Sequence, residues 1–119
     1  MRLFKGSEVK PFTAAKGETV IQYTGRLDKH GRSKFHSLAI MILQPGLSSD
    51  PHAHEIAEES FLVIRGNGVM KVNEDSFEVG VGDCVFVEPG ERHTLVNTGT
   101  EPLECVLATG PAWQPTDSI

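Results

Sequence analysis

Apolar residues along this chain fall in short runs separated by glycine, proline, asparagine and charged positions. No window of about ten residues repeats with helical periodicity. Thr19–Thr24 (TVIQYT) is rich in β-branched and aromatic residues and predicts a strand. Residues 34–43 carry apolar side chains on both parities, as a strand covered on both faces would. Strands are predicted again over 60–65, 69–72, 76–79, 84–87, 93–97 and 103–108, each bounded by turn residues. Gly66-Asn67-Gly68 reads as a hairpin turn joining two of them. Residues 1–18, interrupted by Pro11 and Gly17, predict a short edge strand or arm. Residues 110–119, with Pro111, Pro115 and the single tryptophan Trp113, predict a tail lying extended across the outside. Many short strands with frequent turns give one all-β domain over residues 1–119, a sandwich or a barrel.

Composition narrows the function classes. Lys+Arg 11 against Asp+Glu 16 leaves a net charge of −5, which disfavours nucleic acid and anionic membrane surfaces as partners. No helix-turn-helix segment is left over for DNA reading. The start of the chain has no apolar core of signal-peptide length, and the apolar run 38–43 is far short of a membrane span. The expectation is a soluble, cytoplasmic protein. Cys84 and Cys105 are too few for a disulfide framework and read as reduced, buried, small apolar side chains.

The chemistry-bearing stretch is 45–59, PGLSSDPHAHEIAEE. His52 and His54 are two apart, so on extended backbone their rings share a face. Glu55, Glu58 and Glu59 follow, and His93 lies in a second glycine-rich segment. Imidazoles and a carboxylate able to converge on one point are ligands for a divalent first-row metal. A histidine pair near a loop is, alone, more often a surface feature. His30 and His36 read as an exposed loop residue and a strand-edge residue. No nucleophile elbow and no phosphate loop is present.

The full spacing is more specific. Gly46, His52, His54, Glu59 and Gly66 form one pattern, and Gly82, Gly90, His93 and Asn97 form a second. In these two motifs, residues 46–66 and 82–97, the chain resembles the cupin superfamily. The first motif matches at every fixed position. The second departs once, with Glu88 where the family has proline and Pro89 one residue later.

The resemblance implies a double-sheet jelly-roll barrel and a metal held by His52, His54, Glu59 and His93. It also selects Glu59 over Glu58 and Glu55 through the interval to Gly66. Such ligands suit one divalent ion of Fe, Ni, Zn, Mn or Cu. With Glu59 inward, Phe61 and Val63 share its face, and Leu95 and Asn97 share that of His93; these four are expected to wall a substrate pocket. The opposite parity (Ser60, Leu62, Ile64, Thr94 and Val96) would need cover from the arm, the tail or, the favoured reading, a homodimer partner. Cupins include dioxygenases, isomerases, lyases and proteins without chemistry. The expectation is a metal-dependent enzyme on a small organic molecule, of dioxygenase, isomerase or lyase type. A non-catalytic module binding a metal and a small ligand is the alternative. No general acid or base stands out in the sequence.

Overall fold

Nine strands, every neighbouring pair antiparallel, are arranged in two sheets in the computed structural model, which describes residues 1–119. They are β1 (Phe12–Thr13), β2 (Thr19–Thr24), β3 (Ser37–Leu43), β4 (Glu58–Arg65), β5 (Asn67–Val72), β6 (Asp75–Gly80), β7 (Cys84–Val87), β8 (His93–Val96) and β9 (Leu103–Gly110). The larger sheet has the order β1-β2-β3-β9-β4-β7, and the smaller has β6-β5-β8. Helix is confined to two short 3-10 turns, Asp28–His30 and Pro115–Asp117.

Alternating side chains stack the sheets. In β4, Glu59, Phe61 and Val63 are buried while Glu58, Leu62 and Ile64 are exposed, the period of two that a half-covered strand requires. One cluster of eleven buried residues takes Met41, Val63 and Leu103 from the larger sheet and Met70, Val79 and Leu95 from the smaller. Fully burying one such side chain stabilises by roughly 1.5–3 kcal/mol, so this shared core holds the two layers together. The layers remain separate ladders, and isolated bridges, Ser48 to Val96 and His52 to His93, pair β8 with the segment between β3 and β4.

Four expectations are corrected by this arrangement. Gly66-Asn67-Gly68 is not a hairpin turn, because β4 and β5 lie in different sheets. Gly66, at φ +79, is instead the corner where the chain changes layer; a Cβ there would sit 2.5 Å from the Pro102 carbonyl oxygen. The outward residues of β4 and β8 do not form one face, since the two strands belong to opposite layers. Parity tells inside from outside but not which sheet carries a strand.

Cys84 is exposed, on the outer side of the edge strand β7, whereas Cys105 is buried in β9 with its thiol pushed up to about 12 by burial. Finally, the tail does not lie across the outside. Ala112 and Asp117 are buried, Trp113 N–H donates to Ser37 Oγ, and Ser118 bridges to His54.

Candidate metal centre

Backbone pairing fixes the histidines before any ligand is considered. The segment between β3 and β4 runs extended, so His52 and His54 project to one side. His52 and His93 exchange N–H to carbonyl bonds at 3.2 and 2.9 Å, locking that segment beside β8. On its other side Ala53 and Ile119 exchange a similar pair at 3.0 and 2.8 Å. The Gly90 N–H donates to the His54 carbonyl at 2.7 Å, so the second motif grips the first. The turn that departs from the family pattern is held by the Glu88 N–H donating to Glu91 Oε1 at 2.8 Å, and it still delivers the His93 ring to the site.

Four side chains meet there. One ligand atom each from His52, His54, Glu59 and His93 lies within 4.8 Å of every other. His54, Glu59 and His93 are buried; His52 is half-buried. Each ring's outer nitrogen faces an acceptor. Nδ1 of His52 is 2.7 Å from the Asp50 carbonyl and Nδ1 of His93 is 3.0 Å from the Glu91 carbonyl. A carbonyl only accepts, so in both rings Nδ1 carries the proton and Nε2 keeps its lone pair. His54 Nδ1 faces Asp117 Oδ2 at 3.9 Å, which favours the same tautomer.

The inner nitrogens therefore confront one another as acceptors. His52 and His54 Nε2 are 3.2 Å apart, His93 Nε2 is 3.5 Å from Glu59 Oε1, and His54 Nε2 is 3.8 Å from Glu59 Oε2. His93 Nε2 is buried with no hydrogen-bond partner. Converging lone pairs and a carboxylate with no donor among them are the arrangement a cation resolves, so the cluster fits a divalent metal ion.

The surroundings keep each ligand in its binding form. Burial, the largest effect, pushes His54 below its ordinary value; the neighbouring imidazoles add to this, while Glu59 and Asp117 oppose it. A neutral imidazole is what a metal binds. Burial alone would push the Glu59 carboxyl up. The nearby His93, the Thr109 hydroxyl donating to Oε2 at 2.6 Å, and the attraction of either ring whenever it is protonated outweigh it and hold Glu59 below the usual carboxylate range. Asp117 braces the loop by accepting from the Ile56 and Ala57 N–H groups at 2.8 and 3.0 Å.

A model of the cupin domain matches residues 39–109, more than half of the chain. The chain belongs to the cupin family.

Its relatives include an oxalate-binding protein from Thermotoga maritima, 32% identical over 106 residues, which cover 84% of this chain and 86% of that one. A protein of uncharacterised function from Methanocaldococcus jannaschii is 30% identical over 82 residues, covering 69% of this cupin and 66% of its relative. Among solved structures, a predicted oxalate decarboxylase from Thermotoga maritima superposes with a TM-score of 0.75 at 28% identity, over 92% of this chain and 99% of that one.

The centre of this cupin opens into a cavity of about 330 Å³. Phe61 lines it, as the sequence suggests, and its ring stands edge-on to His93 at 5.5 Å. Val63, Leu95 and Asn97 do not line it. Val63 and Leu95 lie deeper between the sheets in the common core. Asn97 points away: its Nδ2 donates to the Leu43 and Glu101 carbonyls and its Oδ1 accepts from the Gly99 N–H, pinning the turn after β8. The cavity is instead walled by inward residues of β2 and β3, such as Val20, Gln22, Ala39 and Met41. Glu58 and Glu55 are exposed and face solvent.

Two residues escape sequence reasoning. Asp117 carries no local signal, because its role depends on the tail folding back. Glu18 is legible in retrospect: it precedes β2, and its parity with Val20 and Gln22 turns it into the cavity.

Proposed function

We propose that this cupin is a metal-dependent enzyme acting on a small organic molecule, with His52, His54, Glu59 and His93 as the metal ligands. One observation carries the reading: three imidazole lone pairs and a carboxylate converge at the wall of a mostly apolar cavity large enough for a small ligand. A divalent ion held there supplies Lewis acidity and orients an oxygen of the substrate. Thr109 and Asp117 hold two ligands in place, while Phe61, Ala39 and Met41 limit access of water. The class of reaction, whether dioxygenase, isomerase or lyase, is left to the element bound. A relative named as an oxalate-binding protein supports a small organic ligand for this cupin.

The second reading, a non-catalytic module binding a metal and a ligand, is favoured by the absence of lysine, arginine and tyrosine from the cavity lining. Elemental analysis of purified protein, followed by oxygen uptake with Fe(II) and a panel of small organic acids, alcohols and amines, separates the two. Uptake that depends on the metal and one compound class supports the enzyme. Tight ligand binding with no turnover under any metal supports the module. Absence of any stoichiometric divalent metal removes both.

The reading includes a homodimer. Leu38, Leu62, Ile64 and Phe86 are exposed on the outer side of the larger sheet, where neither arm nor tail covers them. Such a patch is where a second copy would pack. Two free cysteines fit a reducing compartment, and the cytoplasm is the proposed location.

A further inference from the structure

The cavity contains a carboxyl group that the metal centre does not use. Glu18 is 7% exposed, its Oε2 is buried without a hydrogen-bond partner, and it lines the same cavity as His52, His54 and Glu59. Its backbone already has a structural task, the carbonyl accepting from the Ala14 N–H at 2.8 Å, and the side chain takes no part in that turn. An unmatched buried oxygen of this kind is costly, more so if charged. Nothing in the fold offsets that cost.

The rest of the lining states what could. Two buried carboxyl residues, Glu18 and Glu59, border the cavity, Asp50 at its rim is exposed, and no lysine or arginine lines it. A divalent ion would at most balance the carboxyl groups of Glu18 and Glu59, and with no basic side chain in the lining a dianionic chelator finds no further partner. Val20, Met41 and Leu107 supply apolar wall.

We propose that Glu18 is a second recognition point, accepting a hydrogen bond from the hydroxyl or ammonium end of a ligand whose other end chelates the metal. This rests on the metal reading above and deepens it. The ligand class is a neutral or cationic molecule with an apolar middle, and dianions such as oxalate are disfavoured. The carboxyl stays unpartnered until the ligand arrives, so its lost hydration is recovered only on binding a donor.

The test uses the full-length protein loaded with Co(II), whose visible spectrum changes when a chelator enters the coordination sphere. Straight-chain alkyl hydroxamates ending in methyl are compared with the same chains ending in ammonium, over a short series of lengths. In the wild type the ammonium probe of the fitting length binds roughly tenfold or more tighter than its methyl counterpart, about 1.4 kcal/mol. Glu18→Gln keeps full cobalt content, leaves the methyl probes unchanged, removes the ammonium preference, and tightens oxalate by about threefold or more. An ammonium preference absent at every length, or surviving in Glu18→Gln, overturns the proposal while the cobalt content upholds the metal centre. Failure of the wild type to take up cobalt overturns the metal reading instead. A further measurement decides about Glu18 in that case too. Glu18→Met raises the thermal midpoint of the metal-free protein by about 2 °C or more, because a buried polar group without a partner is gone. A lowered midpoint would show that the residue serves the fold and would end the proposal.

Discussion

Asp117 Oδ2 lies 3.9 Å from Nδ1 of His54, although the two residues are separated by most of the second half of the chain. Both Asp117 oxygens also accept backbone N–H groups from the loop carrying His54. One carboxylate thus fixes the path of the loop and, by its charge alone, favours one tautomer of the ring. Asp117→Asn replaces an acceptor with a donor and withdraws the charge. Metal affinity should fall by about 10–100-fold, the usual effect of losing an outer partner of a ligating histidine. Competition against a chromophoric chelator measures it; an unchanged affinity would reduce Asp117 to a loop brace.

Ligand identity is tested directly. His54→Ala should abolish metal content with the β spectrum retained, and Glu59→Gln should weaken binding. Glu58→Gln should leave it nearly unchanged, because Glu58 faces solvent on the other side of β4. Metal content of each variant, by mass spectrometry, checks all three. Reversed behaviour of the two glutamates would place the wrong one at the centre.

Acid should destabilise the metal-free protein in two stages. His54 is held below 6.5, so the unfolded chain takes up its proton first, and stability present above 6.5 is lost as pH falls from there. Glu59 is held below 4.5, so its contribution is present above 4.5 and fades as pH falls further. Both slopes have the same sign. Thermal midpoints measured from neutral to acid pH should decline in both windows, and His54→Gln should remove the upper one.

Gly66→Ala would place a Cβ 2.5 Å from the Pro102 carbonyl oxygen at a φ of +79. The left-handed backbone and the overlap together should cost about 2–4 kcal/mol. Urea unfolding of the metal-free protein reads this loss without involving the site.

The outer patch makes a prediction about assembly. A stable pair buries about 800 Å² on each partner. Phe86→Glu with Leu62→Glu should convert a dimer to a monomer by light scattering and keep metal content. A wild-type monomer would refute the dimer.

Local signals revealed much of this. Alternation exposed the inward row Glu59, Phe61 and Val63, and the two motifs named the residues that the fold gathers within 4.8 Å. Layer membership was not legible, because Gly66 permits a tight turn and a change of sheet equally well. That ambiguity moved Val63 and Leu95 from the core to the expected pocket wall. Asp117 and Glu18 were hidden for a related reason. Their importance comes from chain segments that meet the site only through long-range pairing, Ser118 with His54 and β2 with β3.

The bridge between His52 and His93 has a mechanical consequence. Glu59 stands on one layer and His93 on the other, so an ion shared by both would rivet the two layers together. Resistance to heat and competence for chemistry would then depend on the same atom. At a free-ion level a hundred times its dissociation constant, that rivet would add about 2.7 kcal/mol, enough for a chelator to lower the thermal midpoint by several degrees.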